Sequence, residues 1–138
     1  MDKIINSLQE EIIKNNIFEF RMSKLNEDGT LIIIGCFDLS YHHSIEISIK
    51  ETTYISCPIT FSNAKFRLAT EAEKKYLKST SISEWNELII CIILDEDIDE
   101  TPTKHFIFAE ELHYKVGNVY HYVRENLQEG ERIAEWVK

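Results

Sequence analysis

The chain has little of what breaks or staples a fold. Its 138 residues include 4 glycines, 2 prolines and 3 cysteines. So few glycines and prolines exclude collagen-like and low-complexity classes. Cys36, Cys57 and Cys91 are odd in number, widely spaced and flanked by apolar residues, with no Cys-x-x-Cys. That excludes a disulfide framework and a cysteine zinc site, and points to buried small hydrophobes in a reducing compartment. An apolar setting also raises a thiol pKa and blunts any reactivity of Cys91. Long hydrophobic runs are missing: the longest is Leu88–Leu94. It falls far short of the roughly 20 helical residues that a bilayer core requires. Met1–Asn6 has no basic stretch leading into an apolar one, so a mature cytosolic start is expected. No G-x-S-x-G, P-loop, G-x-G-x-x-G or H-E-x-x-H occurs, and no cofactor is expected.

Positive charge is also scarce. Lys and Arg number 15 against 24 Asp and Glu, for a net charge of −9. The excess is local. Residues 84–111 hold Glu84, Glu87, Asp95, Glu96, Asp97, Asp99, Glu100, Glu110 and Glu111 against Lys104 alone, a charge of −8. A phosphate backbone would be repelled there, and no basic stripe exists elsewhere, so nucleic acid is excluded as a partner.

What is present suffices for an ordinary core: 43% of residues are hydrophobic and 11% aromatic. The length predicts one α+β domain over residues 1–138. Residues 3–15 read as an amphipathic helix, with Ile4, Ile5, Leu8, Ile12 and, just off the stripe, Ile13 on one side and Glu10 paired with Lys14 on the other. Residues 17–25 alternate with period two, Asn26–Gly29 signals a hairpin turn, and residues 30–39 return. Ser44–Glu51 alternates Ile45, Ile47 and Ile49 with polar residues. Residues 53–61 form a further strand candidate whose Pro58 must lie at an edge, end or bulge. Ala64–Ala69 closes this half. Thr70 and Glu73 form a capping box for a short middle helix, and Ser81–Glu84 offers a second. Leu88–Leu94 is apolar on both faces, as a central strand would be. Residues 104–109 read as a strand that 110–116 continue, with helix as the alternative. Gly117-Asn118 suggests a tight hairpin, with 119–123 returning. Val123, Leu127, Gly130, Ala134 and Val137 recur at helical spacing, predicting a C-terminal helix weakened by Gly130. The expected architecture is a curved antiparallel sheet of about seven or eight strands with N- and C-terminal helices.

The acidic run Asp95-Glu96-Asp97-Ile98-Asp99-Glu100 is the most conspicuous candidate site. Asp95, Asp97 and Asp99 match the opening of a calcium loop, but Glu100 stands where glycine is needed and Phe106 where a bidentate Glu is needed. The two readings that remain are a solvated loop and a docking surface for a basic partner. Tyr41, His42 and His43 form a second candidate, although neighbours on an extended chain point to opposite faces. His105, His113 and His121 share a spacing of eight. A two-residue turn at Gly117-Asn118 places His113 opposite Tyr122, whereas a three-residue turn places it opposite His121, close enough to share a metal. Tyr120 and Tyr122 alternate with His121, making one face of that segment aromatic.

The stretch Gly35-Cys36-Phe37-Asp38-Leu39-Ser40-Tyr41-His42-His43-Ser44-Ile45-Glu46-Ile47 resembles strand–turn–strand segments of small immunity proteins from bacterial polymorphic-toxin systems. The resemblance covers a minor part of the chain, and no functional residue is carried over from it. It implies a cytosolic single α+β domain that binds and neutralises a cognate toxin. The leading expectation is therefore a non-enzymatic binding protein with a basic protein partner. Asp95, Glu96, Asp97, Asp99 and Glu100 would steer it, with Tyr41, His42 and His43 as further contacts. A small-ligand binder using the concave sheet face is the alternative, and a metal-dependent hydrolase built on His105, His113 and His121 the third reading. Homodimerisation is compatible with each.

Overall fold

The computed structural model of the protein describes residues 2–79, 88–94 and 102–137. It is α+β. Helix α1 (Asp2–Lys14) leads into β1 (Glu19–Leu25), β2 (Leu31–Cys36), β3 (His42–Lys50), β4 (Tyr54–Ile55), β5 (Thr60–Ser62) and β6 (Ala64–Leu68). Helix α2 (Glu71–Ser79), β7 (Leu88–Leu94), β8 (Thr103–Ala109), β9 (Glu111–Tyr120) and β10 (Arg132–Ile133) follow.

The helix α1 buries Ile5, Leu8 and Ile12, three of the four predicted stripe residues, while Ile13, just off that stripe, points to solvent. It ends where the sequence implies. Asn16 takes a left-handed φ of 54°, Ile17 N–H reaches the Ile12 carbonyl at 2.9 Å, and Asn16 N–H the Ile13 carbonyl at 3.2 Å. Those bonds satisfy carbonyls that a helix end otherwise leaves unpaired. The Thr70 box also forms: the Glu73 carboxylate accepts from Thr70 N–H at 2.8 Å, and the Thr70 hydroxyl accepts from Glu73 N–H at 3.2 Å. The second box, at Ser81–Glu84, lies outside the described residues.

Ten strands form two sheets among the described residues, rather than seven or eight strands in one. The larger sheet has the order β10-β9-β3-β2-β1-β5 and the smaller β4-β8-β7-β6. Every pairing is antiparallel except that of β10 with β9. The split falls at Pro58, between β4 on one edge of the small sheet and β5 on one edge of the large sheet. Proline donates no ladder hydrogen bond, so an edge is where the chain can change sheets. As its composition predicts, β7 is central and buried on both sides. Both sheets and α1 share one core, including Leu8, Phe20, Ile33, Ile47, Ile90 and Ile107. Polar bonds pin α1 over it: the Gln9 amide oxygen accepts from Phe66 N–H at 2.8 Å, and the Ser7 and Tyr114 hydroxyls bond each other. The inner sheet face is therefore filled.

Three expectations toward the C-terminus fail. Residues 110–116 do not continue the preceding strand: the chain breaks at Glu110, with β8 in the smaller sheet and β9 in the larger. There is no hairpin at Gly117-Asn118, because β9 runs unbroken from Glu111 to Tyr120. Instead, the ladder to β3 shifts register there, with Ser44 facing both Gly117 and Asn118. Glycine inside a strand marks either a turn or a bulge, and here it marks a bulge. A Cβ at Gly117 would stand 3.1 Å from the Gly130 carbonyl oxygen, so the bare backbone admits the C-terminal segment. The predicted C-terminal helix does not form either. Asn126 and Gly130 adopt left-handed φ values of 60° and 82°, which an α-helix cannot contain. Arg132 and Ile133 instead pair with Val119 and Tyr120.

Candidate functional site

The polar groups that the fold gathers lie at the junction of β3, the end of β9 and β10. The ladder shifts register between His43 and Ile45, with the extra residue on β9, and the His43 ring reaches Glu46 three residues along the chain. His43 is 1% exposed and has both ring nitrogens engaged. Its Nε2 donates to the Glu46 carboxylate at 2.7 Å, and its Nδ1 meets His121 Nε2 at 2.9 Å. Arg132 on β10 bonds the same Glu46 oxygen. The Trp136 ring stacks near His43, with centroids 6.4 Å apart, and near His121 at 5.2 Å.

This geometry sets the charge states. The His43 hydrogen bond and the Arg132 charge hold the Glu46 carboxyl below the usual carboxylate range, although burial opposes them. An ionised Glu46 only accepts, so His43 Nε2 carries a proton. One proton is then shared across the His43–His121 contact, because two N–H groups cannot point at each other. Burial, followed by the charges of His43, Arg21 and His42, pushes the His121 pKa down. Glu46, His43 and His121 thus form a part-buried hydrogen-bonded chain, centred on the buried His43, that ties the end of β9 to β3.

His121 also lines an open depression of about 670 Å³. Ser40, Tyr41 and His42 wall one side, Tyr120 and Tyr122 the other, with Arg124 between the tyrosines. The Arg124 guanidinium lies 4.3 Å from the Tyr120 ring centroid and donates to the Tyr122 hydroxyl at 3.1 Å. Tyr120 and Tyr122 meet edge to face at 5.7 Å, which bears out the aromatic face expected of this segment. The Tyr120 hydroxyl donates to Glu131 at 2.6 Å. Tyr41 is 70% exposed and Tyr122 42% exposed.

Of the sequence-derived candidates, Tyr41 and His42 present surface, whereas His43 faces inward. Asp95, Glu96, Asp97, Asp99 and Glu100 lie outside the described residues. The three spaced histidines do not converge. His105 Nδ1 donates to the Ser56 carbonyl at 3.0 Å, His113 pairs with Glu111 at 3.1 Å, and His121 pairs with His43. With β9 continuous, His113 and His121 stand roughly 20 Å or more apart along the chain, at about 3.3 Å per strand residue. Among the described residues, no group of three or more His, Cys, Asp or Glu is placed to hold a metal ion. Cys36 and Cys91 are buried, Cys57 is half-buried, and burial raises the Cys91 thiol pKa. Cys36 Sγ lies 3.4 Å from His42 Nε2. No helix among the described residues is long and apolar enough to cross a membrane.

The sequence reading did not identify Glu46, Arg124 and Arg132 as site residues, whereas the aromatic end of the chain, with Tyr120, Tyr122 and Trp136, could be read as lining a pocket or an interface. Their convergence depends on the bulge at Gly117 and the parallel β10. Comparison with protein-family models, curated proteins and solved structures finds no match.

Proposed function

We propose that the protein is a non-enzymatic binding protein that docks a basic protein partner. In its sharpest form it is a cytoplasmic immunity protein that neutralises a basic toxin by occluding it. The observation that carries this reading is the charge of −8 concentrated in residues 84–111. Clustered charge of one sign accelerates association with an opposite surface. The acidic run connects β7 to β8, whose ends Leu94 and Thr103 are cross-strand partners. Asp95, Glu96, Asp97, Asp99 and Glu100 supply the steering, and Tyr41 and His42 add contact surface. Exposed tyrosine suits such a role because it brings large area at low entropic cost. The filled inner sheet face favours docking over a ligand held beneath a terminal helix.

Affinity capture from a host extract tests the proposal. The immobilised protein should retain a basic protein that salt elutes. A variant carrying Asp95→Lys, Asp97→Lys and Asp99→Lys should lose it. Equal retention by both, or retention of no basic protein, contradicts the reading.

A further inference from the structure

The depression beside His121 has the opposite electrostatic character to the acidic run. It is walled by Tyr41, His42, Tyr120, His121 and Tyr122 with Arg124, and no carboxylate of the described residues lines it. In a chain with 24 acidic residues, that composition selects for an anion. Two carboxylates act on its residues by charge, Glu131 on Arg124 and Asp38 on His42, and both are held by hydrogen bonds to other groups. Glu131 accepts from the Tyr120 hydroxyl, the Asn118 amide and Gln128 N–H, while Asp38 accepts from Ser40 N–H and its hydroxyl. Arg124 forms no ion pair with a carboxylate of the described residues. It spends one hydrogen bond on Tyr122 and rests on the Tyr120 ring, which orients the guanidinium plane. A guanidinium has five N–H donors in a fork that matches a carboxylate, so an edge remains for bidentate pairing.

We propose that this depression is a binding site for a small aromatic carboxylate. Arg124 pairs with the carboxylate group, and the ring of the ligand lies among Tyr41, Tyr120 and Tyr122. The volume of about 670 Å³ suits a small molecule, for which pockets typically run from about 300 to 1,000 Å³. Tyrosine faces attract the edges of another aromatic ring, which explains the preference for an aromatic acid over an aliphatic one. The site shares Tyr41 and His42 with the docking proposal, but its argument does not rest on that proposal.

Titration of the purified protein with 4-hydroxybenzoate, followed by calorimetry and amide NMR, tests it. Saturable binding should perturb the signals of Tyr41, Tyr120, His121 and Arg124. Neutral benzamide and aliphatic acetate should each bind about tenfold more weakly or worse. Arg124→Leu should weaken 4-hydroxybenzoate by at least about tenfold and leave benzamide unchanged, because only the charged contact is lost. Tyr122→Phe removes the hydroxyl that orients Arg124 but keeps the ring, and should give a smaller loss. Arg124 is surface-exposed, and an unchanged Tm confirms that each variant is folded. No saturable binding at millimolar concentration, equal affinity for benzamide, or wild-type affinity in folded Arg124→Leu overturns the proposal.

Discussion

His43 and His121 are 78 residues apart in the chain, yet their ring nitrogens meet at 2.9 Å. The contact tolerates one shared proton and resists a second. Burial and the neighbouring charges of His43, Arg21 and His42 lower the His121 pKa from its ordinary 6.5. The unfolded chain therefore takes up a proton more readily than the fold does. Stability from this contact is present above about pH 6.5 and declines as pH falls below that value. Glu46 acts at lower pH. Its depressed pKa places its contribution above 4.5, and that contribution is lost on further acidification. Urea unfolding measured across this range should show both losses. In His121→Gln the decline that begins near pH 6.5 should be reduced.

Removing either member of the Glu46–Arg132 pair should have unequal effects. Glu46→Ala leaves the buried His43 Nε2–H without its acceptor, which costs about 1–3 kcal/mol. Arg132→Ala breaks an ion pair whose cation is half exposed, worth less than about 1 kcal/mol. Denaturant midpoints should rank wild type above Arg132→Ala above Glu46→Ala.

Gly35 is needed for close packing, since a Cβ there would lie 2.9 Å from both Ile17 Cγ2 and Phe20 Cδ1. Both neighbours are buried, so neither can swing away freely. Gly35→Ala should destabilise by about 1–3 kcal/mol, the usual cost of overpacking, read as a lower urea midpoint with unchanged slope.

The Thr70–Glu73 box also carries a titration signature. The Arg67 hydrogen bond, aided by Thr70 N–H, lowers the Glu73 pKa to about 2. Thr70→Ala should cost about 1 kcal/mol by removing the cap. Because Arg67 dominates, the Glu73 pKa should rise more in Arg67→Ala than in Thr70→Ala when followed by carboxyl NMR.

Local signals carried most of the fold. The stripe of α1, the Asn16 stop, the Thr70 cap and the doubly buried β7 each depend on neighbours close in sequence. The failures share a different cause. Gly117-Asn118 has the same composition whether the chain turns or bulges, and the choice is made by distant partners, the β3 ladder and the Gly130 carbonyl packed against Gly117. The spacing from Val123 to Val137 suits a helix, but Asn126 and Gly130 leave the helical region, and Glu131 is drawn to Tyr120. The site was harder to read for the same reason. His43 stood out as a histidine, but strict alternation gives no sign of its contact with Glu46, three residues along. Arg132 and Trp136 reach it only because the C-terminal segment became a parallel strand.

The most direct test of the docking account is the association rate of the purified protein with its captured partner, measured by stopped flow across ionic strengths. The rate for wild type should fall steeply with added salt. Reversal of Asp95, Asp97 and Asp99 to lysine should both slow association at low salt and flatten that slope. A salt slope and rate identical to wild type in the reversed protein would contradict the account.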